Sequence, residues 1–425
     1  MTSLWWRAVA MASFARARRL EKRLRTRADV EAWQTARLAR YLAKIAPRVE
    51  AYRTLGARRL GELPIMDKAA LMDGFHRYNL AGITADEARA ALAAGKRIGK
   101  LSVGASTGTS GNRGYYLVSD SERFTWLGVM LAKALPDVTR RRHRVAIVLP
   151  ANSSLYDAAN ESGRMALKFF DLKAGVDAVL PDVAAFGPTV IVAPPKVLVE
   201  LARSDLPLAP ERLYSAAEVL DPLDRATVEA RFGLTLGQIY MATEGLFAVS
   251  CAHGNLHLCE DYVAFEWERP EGSDLVAPLV TDFTRSTQVM ARYRMNDLLR
   301  LDDASCACGS PLQRVAEVVG RMDDAFSLRR RNGHGDMLVT PDVIRNAVVG
   351  ADAAITDFRV VQLGPETVVV RLPAGADNWL EDACDALRRL FADVGVEATV
   401  EGEIGPLPPS TERKLRRVFR LLPTG

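Results

Sequence analysis

The hydrophobic pattern changes character along the chain. Residues 16–46 set Leu20, Leu24, Leu38 and Leu42 among arginines at helical spacing, which predicts helix. From about residue 99 onward, short apolar runs replace that periodicity. Residues 143–150 and 188–194 are two such runs ended by proline, and Gln238-Ile239-Tyr240 is a third that closes on a loop. Helical stretches separate them, as in a parallel α/β sheet covered on both faces. The texture then turns β-rich at 256–267, 275–281 and 289–301. Further on, 357–363 and 367–372 predict a hairpin around Gly364-Pro365, 379–394 an amphipathic helix and 397–401 another strand. There is no internal repeat and no low-complexity linker, so any hinge is short; it is placed at 320–324.

A chain of 425 residues is too long for one ordinary core. The expectation is an α/β protein: a large N-terminal domain over 1–319, with mixed sheets and flanking helices, and a small mobile α+β C-terminal domain over 325–425. With 48% hydrophobic and 25% charged residues the composition is that of an ordinary globular protein. The formal charge is only +4, from 56 basic and 52 acidic side chains, which gives no argument for a nucleic-acid partner. No stretch approaches the ~20 apolar residues of a membrane span. The apolar segment 4–11 is short, interrupted by Arg7 and lacks a secretory cleavage pattern. Followed by the arginines of 16–27, it makes residues 1–45 a basic helical extension. Such a helix could touch a membrane surface, but docking on the protein's own body accounts for it better. A cytoplasmic location is the default.

Candidate chemistry begins with Ser106-Thr107-Gly108-Thr109-Ser110-Gly111-Asn112-Arg113-Gly114. Glycines let backbone turn close to a ligand, and amides with hydroxyls can wrap phosphate oxygens. The segment lacks the Gly-Lys-Ser/Thr ending of a Walker loop, and a plain Gly/Ser loop is the competing reading. At the other end, Lys414 is the only lysine after Lys196 in an arginine-rich chain. A compact ammonium and a guanidinium are not interchangeable, although a leftover surface lysine would explain one residue taken alone.

The loop resembles the phosphate-binding loop of adenylate-forming enzymes: acyl-CoA synthetases, adenylation domains of peptide synthetases and luciferases. Further motifs of that superfamily follow in its order. Ser215-Ala216-Ala217-Glu218 resembles the segment lining the adenine. Tyr240-Met241-Ala242-Thr243-Glu244 resembles Tyr-Gly-x-Thr-Glu, where the ring stacks on adenine, the threonine meets the α-phosphate and the glutamate helps hold magnesium. Tyr293-Arg294-Met295-Asn296-Asp297 resembles Tyr-Arg-Thr-Gly-Asp, whose aspartate grips the ribose. Gly320-Arg321-Met322-Asp323-Asp324 resembles the hinge, with Arg321 near the nucleotide and Asp323 as pivot. Lys414 falls on the catalytic lysine. Within the superfamily the chain is most similar to the phenylacetate-CoA ligase and coenzyme F390 synthetase branch, through residues 63–68 and 256–261 and over roughly residues 50 to 425. It departs from the pattern at Arg113-Gly114, where relatives carry Pro-Lys, and at Met241, Asn296, Pro409 and Arg413. Those departures leave the pose of the nucleotide open.

Five cysteines, an odd number, do not suggest a disulfide framework. Cys251, His257, Cys306 and Cys308 instead supply three thiolates and one imidazole, a set suited to a closed, structural zinc site. Similar positions occur in the phenylacetate-CoA ligase branch. Buried free cysteines beside a hydrogen-bonded histidine are the competing reading, and His253 is an alternative ligand. Cys259 and Cys384 are expected to be merely buried, and His76, His143 and His334 to be structural.

The resemblance implies an ATP-dependent ligase, using magnesium, that activates a small carboxylic acid as its acyl adenylate and passes the acyl group to the thiol of CoA or an acyl carrier protein. An aromatic acid is implied, with Phe124, Trp126 and Phe247 as pocket candidates that core packing explains equally well. Alternatives are adenylyl transfer to a hydroxyl, acyl transfer to an amine, and a nucleotide-binding regulatory protein without catalysis; the presence of both Glu244 and Lys414 argues against the last.

Overall fold

The computed structural model describes residues 3–95, 97–106, 114–149, 165–172, 175–270, 273–407 and 416–421. The chain divides into two compact units, one of 1–295 with 300–317 and one of 296–299 with 318–425. The division thus begins at Val318 and takes the short segment Asn296–Leu299 into the second unit.

The central sheet has nine strands, in the order Asp297–Asp302, Arg314–Arg321, Leu256–Leu258, Gly245–Ser250, Leu236–Ala242, Arg212–Ala216, Val190–Ala193, His143–Leu149 and Met165–Asp171. The five from Leu236–Ala242 to Met165–Asp171 run parallel. Their apolar runs are buried because helices Val176–Phe186, Pro195–Arg203 and Pro222–Phe232 connect them and cover the sheet. Pro195–Arg203 and Pro222–Phe232 carry proline at the start, where its missing N–H costs nothing, and Pro222–Phe232 ends on Gly233 at φ 65°. From Gly245 the sheet turns antiparallel, which is where the sequence pattern turned β-rich.

Helices Ser3–Arg23 and Arg27–Lys44 replace the single predicted helical tract; Thr26 caps the second through a reciprocal bond with Asp29. The first docks on helix Asp120–Ala134 along Ala10, Ser13, Phe14 and Ala17. The crossing point is Gly128, where an added Cβ would lie 2.2 Å from the Ala10 carbonyl and 2.7 Å from Ser13 Cβ. Ser13 donates to the Thr125 carbonyl at 2.8 Å, and Trp6 stacks on Phe124 with ring centroids 5.3 Å apart. Docking on the protein's own body, expected from sequence, is what this face does. Among the described residues no helix is long and apolar enough to cross a membrane.

The second unit holds a four-stranded sheet ordered Thr399–Ile404, Thr367–Leu372, Arg359–Gly364, Val418–Arg420, packed on helices Pro341–Ala351 and Leu380–Asp393. The predicted hairpin, helix and following strand are all present. The edge strand Val418–Arg420 has no sequence signal, because three residues are too few to show a period.

Candidate active site

The hairpin Leu101–Ala105 and Tyr115–Ser119 carries the glycine/hydroxyl loop between its strands. Its neck is closed by Ser106 N–H donating to the Gly114 carbonyl at 2.7 Å and by Gly114 N–H donating to the Ser106 hydroxyl at 2.9 Å. A Cβ added at Gly114 would come within 3.3 Å of Lys68 Cε, so a lysine stem lies at the neck of the loop. Below it Tyr116 crosses over Gly104; a Cβ there would sit 2.1 Å from the ring, which only glycine avoids. Thr107, Gly108, Thr109, Ser110 and Gly111 lie outside the described residues.

Thr243 and Glu244 form the turn joining Leu236–Ala242 to Gly245–Ser250. One side chain ties this turn to the loop-bearing hairpin. Arg285 donates through Nη1 to the carbonyls of Thr243 (2.9 Å) and Glu244 (3.2 Å), and through Nη2 to the carbonyl of Leu117 (3.1 Å). Arg285 is itself held by its neighbours. The Ser286 and Thr287 amides donate to Glu122 at 2.6 and 2.8 Å, while the same carboxylate accepts from Ser119 as the capping box of helix Asp120–Ala134. Burial works against the charge on Glu122, but hydrogen bonds from Thr287, Ser119 and Ser286 prevail and hold it down to about 2. Gln288, fully buried, accepts from Leu117 N–H at 2.9 Å. The segment 285–288 therefore cross-braces both sides of the site.

Ser215-Ala216 ends strand Arg212–Ala216, which lies parallel to Leu236–Ala242 with Ala216 opposite Ile239. The expected adenine segment and Tyr240 consequently leave adjacent strands at the same, carboxyl, end of the sheet, where ligands of open α/β sheets bind. Ala217 follows at φ 69°, a left-handed conformation uncommon without glycine. The Ser215 hydroxyl is buried with no hydrogen-bond partner among the described residues, and the buried Glu218 carboxylate faces Lys196 at 3.8 Å. Tyr240 is half-buried, its ring 5.3 Å from that of Phe247.

In the second unit, Asp297 opens strand Asp297–Asp302 and Arg321 ends strand Arg314–Arg321. Asp323 is exposed and accepts from the Asn296 side chain, so one of the positions where the sequence departs from the resembled motif touches the predicted pivot. Asp324 is buried and pairs with Arg416. Lys414 lies outside the described residues.

The four predicted metal ligands converge. The ligand atoms of Cys251, His257, Cys306 and Cys308 lie within 4.8 Å of one another. Cys251 and Cys306 sulfurs are 3.7 Å apart, and Cys308 Sγ is 3.5 Å from His257 Nε2. A tetrahedron built on usual zinc bond lengths has edges of about 3.8 Å between sulfurs and about 3.6 Å between sulfur and nitrogen. His257 Nδ1 is 3.1 Å from the Leu312 carbonyl. A carbonyl only accepts, so the proton sits on Nδ1 and the Nε2 lone pair faces the thiols, the tautomer a metal requires. Burial opposes charge on Cys306, yet hydrogen bonds, chiefly from Cys308, bring its thiol down to about 6. Burial and the neighbouring sulfurs push Cys308 the other way, so a second thiolate resists forming without a cation. His253 is exposed and outside this group.

Sequence comparison alone yields no match, to a family model or to a curated protein. Structure comparison does. A 2-hydroxyisobutyryl-CoA ligase in the postadenylation state with 2-HIB-AMP superposes with TM-score 0.65 at 16% identity, covering 92% of this chain and 89% of that one. ATP-bound MatB from Rhodopseudomonas palustris gives 0.54 at 17% identity over 90% and 91% of the two chains. The amide bond synthetase McbA from Marinactinospora thermotolerans gives 0.51 at 17% identity over 72% and 66%. The fold is that of the acyl-CoA ligases.

Against this fold, two of the aromatic pocket candidates have another occupation. Phe124 is buried between Trp6 and Arg123, and Trp126 packs in the same helix–helix interface, so the docking helix accounts for both. Phe247 is fully buried behind Tyr240, against Phe265. Cys259 and Cys384 are buried, and His143 is buried against Asp137 at 3.1 Å. Arg285, Glu122 and Gln288 escaped the sequence reading. Each acts on backbone groups far along the chain, and such pairings leave no local pattern.

Proposed function

We propose that this protein is an ATP-dependent carboxylic acid ligase that forms an acyl adenylate and delivers the acyl group to the thiol of CoA or of a carrier protein. The supporting observation is the Arg285 brace, which joins the Thr243-Glu244 turn to the hairpin carrying the glycine/hydroxyl loop. Around it the segment 215–218 and Tyr240 emerge at the same end of the sheet.

In this reading an oxygen of the acid attacks the α-phosphorus of ATP, the bond to the bridging oxygen breaks and pyrophosphate leaves. The thiolate then attacks the acyl carbon, and AMP departs with the oxygen it gained. Thr243 and the loop hydroxyls and amides bind the phosphates, Tyr240 covers the adenine and Asp297 takes the ribose. Glu244 is the carboxylate that would hold magnesium, whose charge would offset that of the phosphates. Lys414 bridges acid and nucleotide while the bond forms, and Asp323 is the pivot of the domain bearing it. Cys251, His257, Cys306 and Cys308 would hold a zinc with all four positions filled by protein, which makes it a structural ion. The aromatic character of the acid rests on the resemblance to the phenylacetate branch.

Pyrophosphate release with a panel of aromatic and aliphatic acids tests the first half-reaction. Lys414→Ala should lower it by about 10²–10³. Equal rates in variant and wild type, or silence with every acid, would reject the assignment. An amine acceptor is the second reading, since McbA, an amide bond synthetase, shares the fold. Mass spectrometry separates an amide from a thioester and both from an AMP adduct.

A further inference from the structure

The exposed side of helix Ser3–Arg23 is organised along its length. Ala10, Ser13, Phe14, Ala17 and Leu20 face the protein body. At 100° per residue, the opposite arc carries Leu4, Trp5, Ala8, Met11 and Ala12 and then Arg16, Arg19, Lys22 and Arg23. Leu4 is 72% exposed, Trp5 52% and Met11 44%, among the most exposed large apolar side chains of the protein. No acidic residue lies on this arc; Glu21 points elsewhere and is paired with Arg18. Two turns of apolar surface, about 12 Å, are thus followed by two turns of cations.

Charge is concentrated here. Residues 3–25 contain seven basic side chains and one acidic, an excess of six, where the whole chain's excess is four. Everything else together is slightly acidic, so this is the part of the molecule that a negative surface attracts. Packing cannot explain the apolar half, because the body-facing side is already satisfied by Gly128, Thr125 and Phe124. A tryptophan and leucine at the tip with arginines behind them match a membrane interface, where apolar groups enter the acyl boundary and cations remain on anionic headgroups.

We propose that this helix face docks the protein peripherally on anionic phospholipid membranes, Leu4, Trp5 and Met11 entering the interface and Arg16, Arg19, Lys22 and Arg23 resting on the headgroups. The active-site reading is independent of this surface, and none of these residues belongs to the catalytic machinery. Docking would leave acid ligation in solution unchanged and would favour acids that partition into the bilayer.

The test is co-sedimentation of the full chain with mixed phosphatidylglycerol/phosphatidylcholine vesicles and with pure phosphatidylcholine vesicles. Wild type should pellet with the first and not the second, and high salt should release it. Arg19→Gln with Lys22→Gln should weaken partitioning about 25-fold, about fivefold per cation. Trp5→Ser with Met11→Ser should weaken it at least about tenfold. Thermal midpoints should stay at the wild-type value because every substituted side chain is exposed. No binding to anionic vesicles overturns the proposal, as does binding that survives both double substitutions. Competition by free glycerol phosphate would show a headgroup pocket rather than a surface, and a Trp5-dependent dimer without lipid would assign the face to self-association; either overturns it.

Discussion

Removing the Arg285 guanidinium separates the two halves of the candidate site without touching any residue expected to meet substrate. Arg285→Met keeps most of the side-chain volume and deletes bonds to three backbone carbonyls at 2.9, 3.2 and 3.1 Å. A hydrogen bond from a charged donor is worth about 1.5–3 kcal/mol net, and Nη1 is shared between two acceptors. Counting two strong bonds, the variant should lose about 3 to 6 kcal/mol if the turn stays in place. If the turn relaxes instead, part of that cost appears as misplaced Thr243 and Glu244, and pyrophosphate release should fall about 10²-fold. Arg285→Lys places a single point charge where a planar fork reached both sides, so it should recover only part of either quantity. Urea unfolding measures the first and pyrophosphate release at saturating ATP the second. Wild-type stability together with a wild-type rate in Arg285→Met would refute the brace. A large stability loss with an unchanged rate in the folded enzyme would show that it supports the fold alone.

The remaining predictions concern metal, charge and packing. Protein purified without chelator should contain about one zinc per chain, and Cys306→Ala should abolish it and lower the thermal midpoint by about 5 °C or more; metal analysis finding none would dismiss the site. Glu122 has a carboxyl held down to about 2 against an ordinary ~4.3, so its contribution is present above the ordinary value and is lost as pH falls toward 2. Glu122→Gln should therefore cost about 3 kcal/mol at pH 7, and its gap from wild type should close on acidification; a gap independent of pH would contradict the assignment. Gly128→Ala puts a methyl 2.2 Å from the Ala10 carbonyl and should destabilise by about 1–3 kcal/mol, whereas an unchanged melt would mean that the two helices part freely.

Much of this molecule was legible in the chain itself. The parallel strands and the helices between them follow from apolar runs of β length alternating with helical periods, and burial on both faces is what such runs require. The Cys–His cluster was legible too, because thiols and imidazole have few other uses in that combination. Resemblance supplied the expected nucleotide motifs, and one of them, Thr243-Glu244, stands in a turn between two strands. Tertiary structure alone decided the rest. Phe124 and Trp126 satisfy a pocket and a helix interface equally well as sequence, and only the stacking of Trp6 on Phe124 assigns them to the interface. Arg285 and Glu122 act 41 and 165 residues away on backbone groups. A backbone carbonyl or amide looks the same at every position, so its partner cannot be read from the chain. The helix Ser3–Arg23 shows both sides of the matter: its amphipathic period is local, but which arc faces the body and which faces outward was settled by a glycine more than a hundred positions away. Local periods are set by neighbours in sequence, and long-range pairings by which surfaces happen to meet.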